Sequence, residues 1–171
     1  ETGTEYVEIP AVLRAIGTHC YIWVPDSWFS ATEISGDAGS WNRNDNTLNG
    51  AQCAELARVF DGAYPLVTNV LGYENGGGPT GDGGVDGDNK IHIFAYDIGY
   101  DWFEADPEGN PQSSGVYGYF DSQDLMDYSD SNRCEMFYID AHFTDQFPGA
   151  MYSTLVHEFQ HMIHTESKTG S

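Results

Sequence analysis

Basic side chains are scarce: 6 Lys and Arg stand against 27 Asp and Glu in 171 residues, a formal net charge of −21. A surface of that sign repels phosphates, which excludes nucleic acid as a partner and turns the chain away from anionic membranes. Long apolar runs are absent as well, so no stretch has the length of a membrane span. The opening Glu1-Thr2-Gly3 has neither the basic nor the apolar region of a signal peptide and reads as a mature or engineered end. Cysteine is confined to Cys20, Cys53 and Cys134, with no close Cys-x-x-Cys pair, which disfavours a thiolate zinc site. In a secreted protein an odd count implies a free thiol or a bond to another segment; in a cytosolic one, three buried thiols are ordinary.

What is present is a folding chain. The hydrophobic fraction is 40% and the aromatic fraction 14%, too high for a disordered acidic tail, and the length suits a single domain spanning 1–171. The carboxylate excess reads as cation binding, solubility at high salt, or simply a solvated surface.

Residues 14–24, aromatic and β-branched, read as one strand stopped by Pro25. A loop rich in Gly, Asn, Asp and Ser covers 35–49. Thr47 is placed to cap a helix from about Leu48, with an apolar stripe of Ala54, Leu56, Ala57, Val59, Phe60, Tyr64 and Val67 and breaks expected at Gly62 and Pro65. After a glycine-rich stretch over 72–89, strands are expected at 90–98, 116–120 and 135–141. Pro148 then opens a last helix, where its missing N–H costs nothing. Met151, Leu155, Phe159, Met162 and Ile163 form that helix's apolar stripe, leaving His157 and His161 on an adjoining face. Strand, helix, several strands and a closing helix make an α+β fold.

The closing helix carries His157-Glu158-Phe159-Gln160-His161. Histidines four apart lie on one side of a helix, one turn separated, and can share one Zn²⁺; a glutamate between them can take a proton from water on that metal. The bland alternative is a chance match on a surface helix. Three specified residues in helical context outweigh it, so His157 and His161 are read as zinc ligands and Glu158 as the general base.

Catalytic zinc needs a third protein ligand. His164 returns to nearly the same face, but a rise of about 1.5 Å per residue carries it roughly 10 Å along the axis from His157, beyond the reach of one ion. Glu166 is too near for the same axial reason. The metzincin extension needs glycine at 164 and histidine at 167, where this chain has His164 and Ser167. The expected source is a C-terminal segment outside this chain.

A second candidate lies in the glycine-rich stretch. Asp82, Asp86, Asp88 and Asn89 alternate with glycines just before a strand, as a structural Ca²⁺ site requires: many oxygens and a backbone able to fold tightly. The spacing is not that of an EF-hand. A flexible turn with solvated aspartates is the competing reading.

The string Ser153-Thr-Leu-Val-His157-Glu158-Phe-Gln-His161-Met-Ile resembles the active-site helix of secreted bacterial metallopeptidases of the hyicolysin type. The stretches Leu56-Ala-Arg-Val-Phe60-Asp61, Asp86-Gly-Asp-Asn-Lys-Ile-His-Ile, Gly118-Tyr-Phe-Asp121 and Glu135-Met-Phe-Tyr-Ile-Asp140 are similar too. The resemblance implies a zincin-like upper lobe: a twisted mixed β-sheet with an active-site helix beneath, followed by a helical lower lobe. It implies a gluzincin-like third ligand, a glutamate on that lower lobe. The lobe is then expected from an associated C-terminal fragment, left by a nick after His161. It further implies an extracellular zinc endopeptidase acting on protein or peptide substrates. In zincins an edge strand above the metal pairs with the extended substrate, and 116–120 is the nearest strand by order. The competing reading from another class is a calcium-stabilised extracellular binding module with a vestigial His-Glu-x-x-His; a non-peptidase zinc hydrolase is a third.

Overall fold

A computed structural model describes residues 7–31, 46–99 and 115–169, the side chains of 166–169 excepted. The opening Glu1-Thr2-Gly3, most of the loop 35–49 and the side chains of Glu166 and Ser167 lie outside the described residues. Five strands, β1 (Val12–Ile16), β2 (Cys20–Val24), β3 (Ile91–Tyr96), β4 (Gly118–Tyr119) and β5 (Met136–Asp140), form one mixed sheet in the order β1-β2-β3-β5-β4. The pairs β2–β3 and β3–β5 are parallel, while β1 and β4 run antiparallel to their neighbours at the two edges. Helices α1 (Gly50–Leu71), α2 (Ala141–Gln146) and α3 (Pro148–Thr169) complete an α+β architecture.

Alternation decides which side of the sheet meets the helices. Cys20, Ile22 and Val24 of β2, Ile91, Ile93 and Ala95 of β3, and Phe137 and Ile139 of β5 share one face and one core with α1 and α3. Phe60 of α1 joins the layers, its ring 5.9 Å from that of Phe137 and 5.2 Å from that of Phe159 on α3. On the opposite face Trp23, Phe94, Tyr96, Met136 and Tyr138 form a smaller cluster with Cys134.

Several sequence expectations change. The single strand at 14–24 is a hairpin of β1 and β2, turned at Gly17-Thr18-His19. Asp61 of α1 holds this turn, accepting the backbone N–H groups of Thr18 at 2.7 Å and His19 at 2.8 Å. A side chain at Gly17 would strike that carboxylate at 2.8 Å. Asp61→Ala is expected to cost about 2 kcal/mol, the scale of bonds to a charged acceptor, read as a lower urea midpoint at unchanged m value.

The cap of α1 is Asn49 rather than Thr47. Asn49 accepts the Gln52 N–H at 2.9 Å and the Gln52 side chain accepts the Asn49 N–H at 2.8 Å, a reciprocal capping box. The helix also runs through Gly62 and Pro65. Pro65 faces solvent, where water can serve the carbonyl that proline leaves without an N–H, while Phe60, Tyr64 and Val67 hold the buried side.

The strand expected at 116–120 is reduced to Gly118–Tyr119, and the one expected at 135–141 stops at Asp140. Asp140 then caps the short helix α2, which the sequence reading missed, by accepting the Phe143 N–H at 2.8 Å. No helix among the described residues is long and apolar enough to cross a membrane.

Candidate metal centre

Helix α3 begins at Pro148 and buries the stripe read from its sequence: Met151, Leu155, Phe159, Met162 and Ile163 are each no more than 1% exposed. That stripe fixes the rotation of the helix, so His157 and His161 face out while Glu158, at 6% exposure, turns under the end of the sheet. The Nε2 atoms of His157 and His161 lie 2.9 Å apart, their rings nearly perpendicular. A tetrahedral zinc with Zn–N bonds near 2.0–2.1 Å holds two nitrogens roughly 3.3 Å apart, so the pair fits one ion after a shift of a few tenths of an ångström.

Burial pushes the Glu158 carboxyl above its usual range, while His157, His161 and the Phe120 backbone N–H pull it back down. Glu158 thus sits beside the Phe120 backbone, just past the edge strand. β4 lies close over the helix because residue 118 is glycine: a side chain there would meet the Tyr138 carbonyl at 2.6 Å and the Thr154 methyl at 2.8 Å. The result is an open hollow of about 470 Å³, with Gly118, Tyr119, Phe120 and Ser122 on one wall and His157, Glu158, His161 and Thr165 on the other. Sequence reasoning offered 116–120 as the strand above the metal but missed Ser122 and the need for a small residue at 118. The chain signal was thin, a glycine inside a short aromatic strand.

His164 is exposed and does not line the hollow. Among the described residues, the one group of three His, Cys, Asp or Glu ligand atoms within 4.8 Å of one another lies elsewhere, at Asp86, His92 and Cys134. Hydrogen bonding speaks against a metal there. The Trp23 indole, a donor only, gives its N–H to His92 Nδ1 at 3.0 Å, which places the proton of a neutral His92 on Nε2. That proton points to Asp86 Oδ2 at 3.0 Å, so the nitrogen a metal would need is already a donor. The Cys20, Cys53 and Cys134 thiols are separate and buried, and burial pushes each up to about 12.

The residues expected to hold calcium stand on a loop of turns. Asp82 accepts the Gly84 N–H at 3.3 Å. Asp86 accepts the Asp88 N–H at 2.8 Å. Asp88 accepts the Lys90 N–H at 3.0 Å and the Tyr21 hydroxyl at 2.8 Å. Asn89 is exposed.

No protein-family model matches the chain. Over 133 residues the chain is 35% identical to a Staphylococcus hyicus protein named neutral metalloprotease ShpI. The match covers 72% of this chain and 26% of that protein, so the chain spans about a quarter of its relative's length. The similarity relates the chain to a metallopeptidase.

Proposed function

We infer that this chain, related as it is to a metallopeptidase, forms the zincin-like upper lobe of a secreted zinc endopeptidase. His157 and His161 are zinc ligands in this reading and Glu158 is the general base. The observation that carries it is the convergence of two exposed imidazole nitrogens, 2.9 Å apart, beside a buried carboxylate in an open hollow. Bound zinc supplies a Lewis acid that acidifies a water and polarises a peptide carbonyl.

The chain's own groups supply the rest. Glu158 takes the proton of the attacking water and returns it to the leaving amine. β4, at the sheet edge, offers the backbone of Gly118 and Tyr119 to an extended peptide, which would add as a further strand along the hollow. The third zinc ligand comes from outside the described residues, on an associated lower-lobe segment. Secretion enters from the resemblance, and a structural Ca²⁺ in the glycine-rich loop completes the reading.

Metal analysis of the full-length protein tests the centre. About one zinc per molecule is expected, and His161→Ala should lose it with an unchanged circular dichroism spectrum, because the side chain is exposed. Full zinc occupancy in a His157→Ala/His161→Ala double variant would show that the ion sits elsewhere.

A further inference from the structure

Two carboxylates beneath the glycine-rich loop lack the partners their burial demands. Glu74 is 4% exposed and Glu135 2%, and each keeps one buried oxygen, Oε2, with no hydrogen-bond partner. Their other oxygens are held: the Tyr64 hydroxyl donates to Glu74 Oε1 at 2.6 Å, and the Val85 N–H donates to Glu135 Oε1 at 2.9 Å.

Both acids press on the same crossing of the chain. A side chain at Gly77 would strike Glu74 Oε1 at 2.4 Å, and one at Gly84 would strike Glu135 Oε1 at 2.1 Å and the Asn75 carbonyl oxygen at 2.8 Å. The two backbone runs touch, with the Gly83 N–H donating to the Gly76 carbonyl at 3.0 Å. A side chain at Gly76 would meet Gly84 N at 1.9 Å and Asp82 Oδ1 at 2.6 Å. Positive φ at Gly76, Gly83 and Gly84 allows this fold-over.

A buried carboxylate oxygen that no donor reaches is costly. Nor does a lysine or arginine among the described residues turn to them, and the nearest basic group, His19, stacks on Tyr64 at 4.1 Å. Arg14 is engaged by Asp26, Arg58 by Glu55, Lys90 by the Gly17 carbonyl and Arg133 by Asp127. Burial pushes the carboxyls of both Glu74 and Glu135 up; Tyr64 and His19 pull Glu74 back down, while the charges of Asp86 and then Glu74 add to the rise at Glu135.

We propose that Glu74 and Glu135 are ligands of a bound Ca²⁺, with loop carbonyls such as that of Asn75 in its oxygen shell and Asp82 swinging in as the ion binds, since the three carboxylates do not stand within 4.8 Å of one another beforehand. This deepens the calcium part of the functional reading and does not depend on the zinc chemistry. An all-oxygen set drawn irregularly from a loop suits Ca²⁺, which takes six to eight oxygens at about 2.3–2.6 Å, better than octahedral Mg²⁺ or a nitrogen- and sulfur-seeking zinc. The set expected from sequence is thereby redistributed. Asp82 remains a ligand, while Asp86 and Asp88, with both oxygens taken by protein donors, brace the loop. The ion would tie the end of α1, just before Glu74, to the start of β5, just after Glu135.

Calorimetric titration of calcium chloride into the zinc-loaded, calcium-stripped full-length protein tests this. One Ca²⁺ per chain is expected, with at least about tenfold weaker affinity in Asp82→Asn, no uptake in Glu135→Gln, and unchanged stoichiometry in Asp88→Asn. Absence of uptake at millimolar calcium overturns the proposal, as does unchanged affinity in Asp82→Asn and Glu135→Gln together. Should Glu135→Gln fail to fold, the exposed Asp82→Asn decides alone, unchanged affinity there overturning the assignment. Peptidase activity is not read in this titration, so its failure would leave the role of Glu158 standing.

Discussion

Replacing Glu158 by glutamine is expected to lower kcat for casein cleavage by about 10²–10⁴-fold while zinc content stays near one per molecule, the scale of lost general base catalysis. Glutamine keeps the shape of the side chain, so the hollow and both histidines should stay in place. What is lost is the ability to take a proton, and with it the step that makes water a nucleophile. Because the substrate backbone is met by β4 rather than by Glu158, KM should change little. Glu158→Asp makes a sharper comparison: it keeps the base but withdraws it by one methylene, and reactivity of this kind is sensitive to displacements near 1 Å. The aspartate variant should therefore fall between wild type and glutamine. Casein cleavage undiminished in Glu158→Gln would remove Glu158 from the role of base.

The parts of the site that were legible in the sequence are those a single helix encodes. The spacing of His157 and His161 and the apolar stripe from Met151 to Ile163 together fix which face is buried and which side bears the two histidines. Local spacing could not reveal that Glu158 is covered by a strand 40 residues earlier, or that Gly118 must be small for β4 to settle over Thr154. The errors in the fold have the same origin. The β1–β2 turn depends on Asp61, more than 40 residues away in the chain, so 14–24 looked like one strand. Pro65 looked like a helix breaker because the sequence does not say that it faces solvent while its neighbours are buried. The segment after Asp140 carries aromatic and β-branched residues that suit a strand, and the cap that turns it into α2 is visible only in three dimensions.

The acidic excess also changes its meaning once the residues are placed. Asp61 ties the hairpin to α1, and Asp140 caps α2 while accepting the Ile98 N–H at 2.7 Å. Asp121 caps the short 3₁₀ turn Ser122–Leu125 beside the hollow. Asp124, 5% exposed, accepts the Tyr138 hydroxyl at 2.6 Å and the Asn132 side-chain amide at 2.8 Å. With Glu74 and Glu135 these are carboxylates with internal work, several of them inside the stretches that resemble hyicolysin-type peptidases. A composition count treats them as surface charge. Their positions make them anchors of loops that have too few apolar residues to anchor themselves.

Phe159→Ala is expected to destabilise the zinc-saturated protein by about 3–5 kcal/mol, a large part of the roughly 5–15 kcal/mol that holds a domain of this kind together. The residue lies inside the motif, in a position that the metal chemistry leaves free, yet it is 1% exposed and is the point where α3 meets α1. Its ring packs edge-on against Phe60 at 5.2 Å and stacks on Tyr64 at 5.3 Å, and Tyr64 in turn donates to the buried Glu74. Alanine would remove both ring contacts and open a cavity between two helices, which the parallel strands behind them cannot close. Phe159→Leu keeps most of the volume and should cost only about 1–2 kcal/mol. Urea unfolding with zinc in excess separates the two variants, since saturation holds the contribution of the metal constant. Equal midpoints for Phe159→Ala and wild type would mean that α3 is oriented by something other than this stripe, and the outward aim of His157 and His161 would then need another cause. The expected ordering, wild type above leucine above alanine, makes the rotation of the helix that carries His157 and His161 a product of core packing.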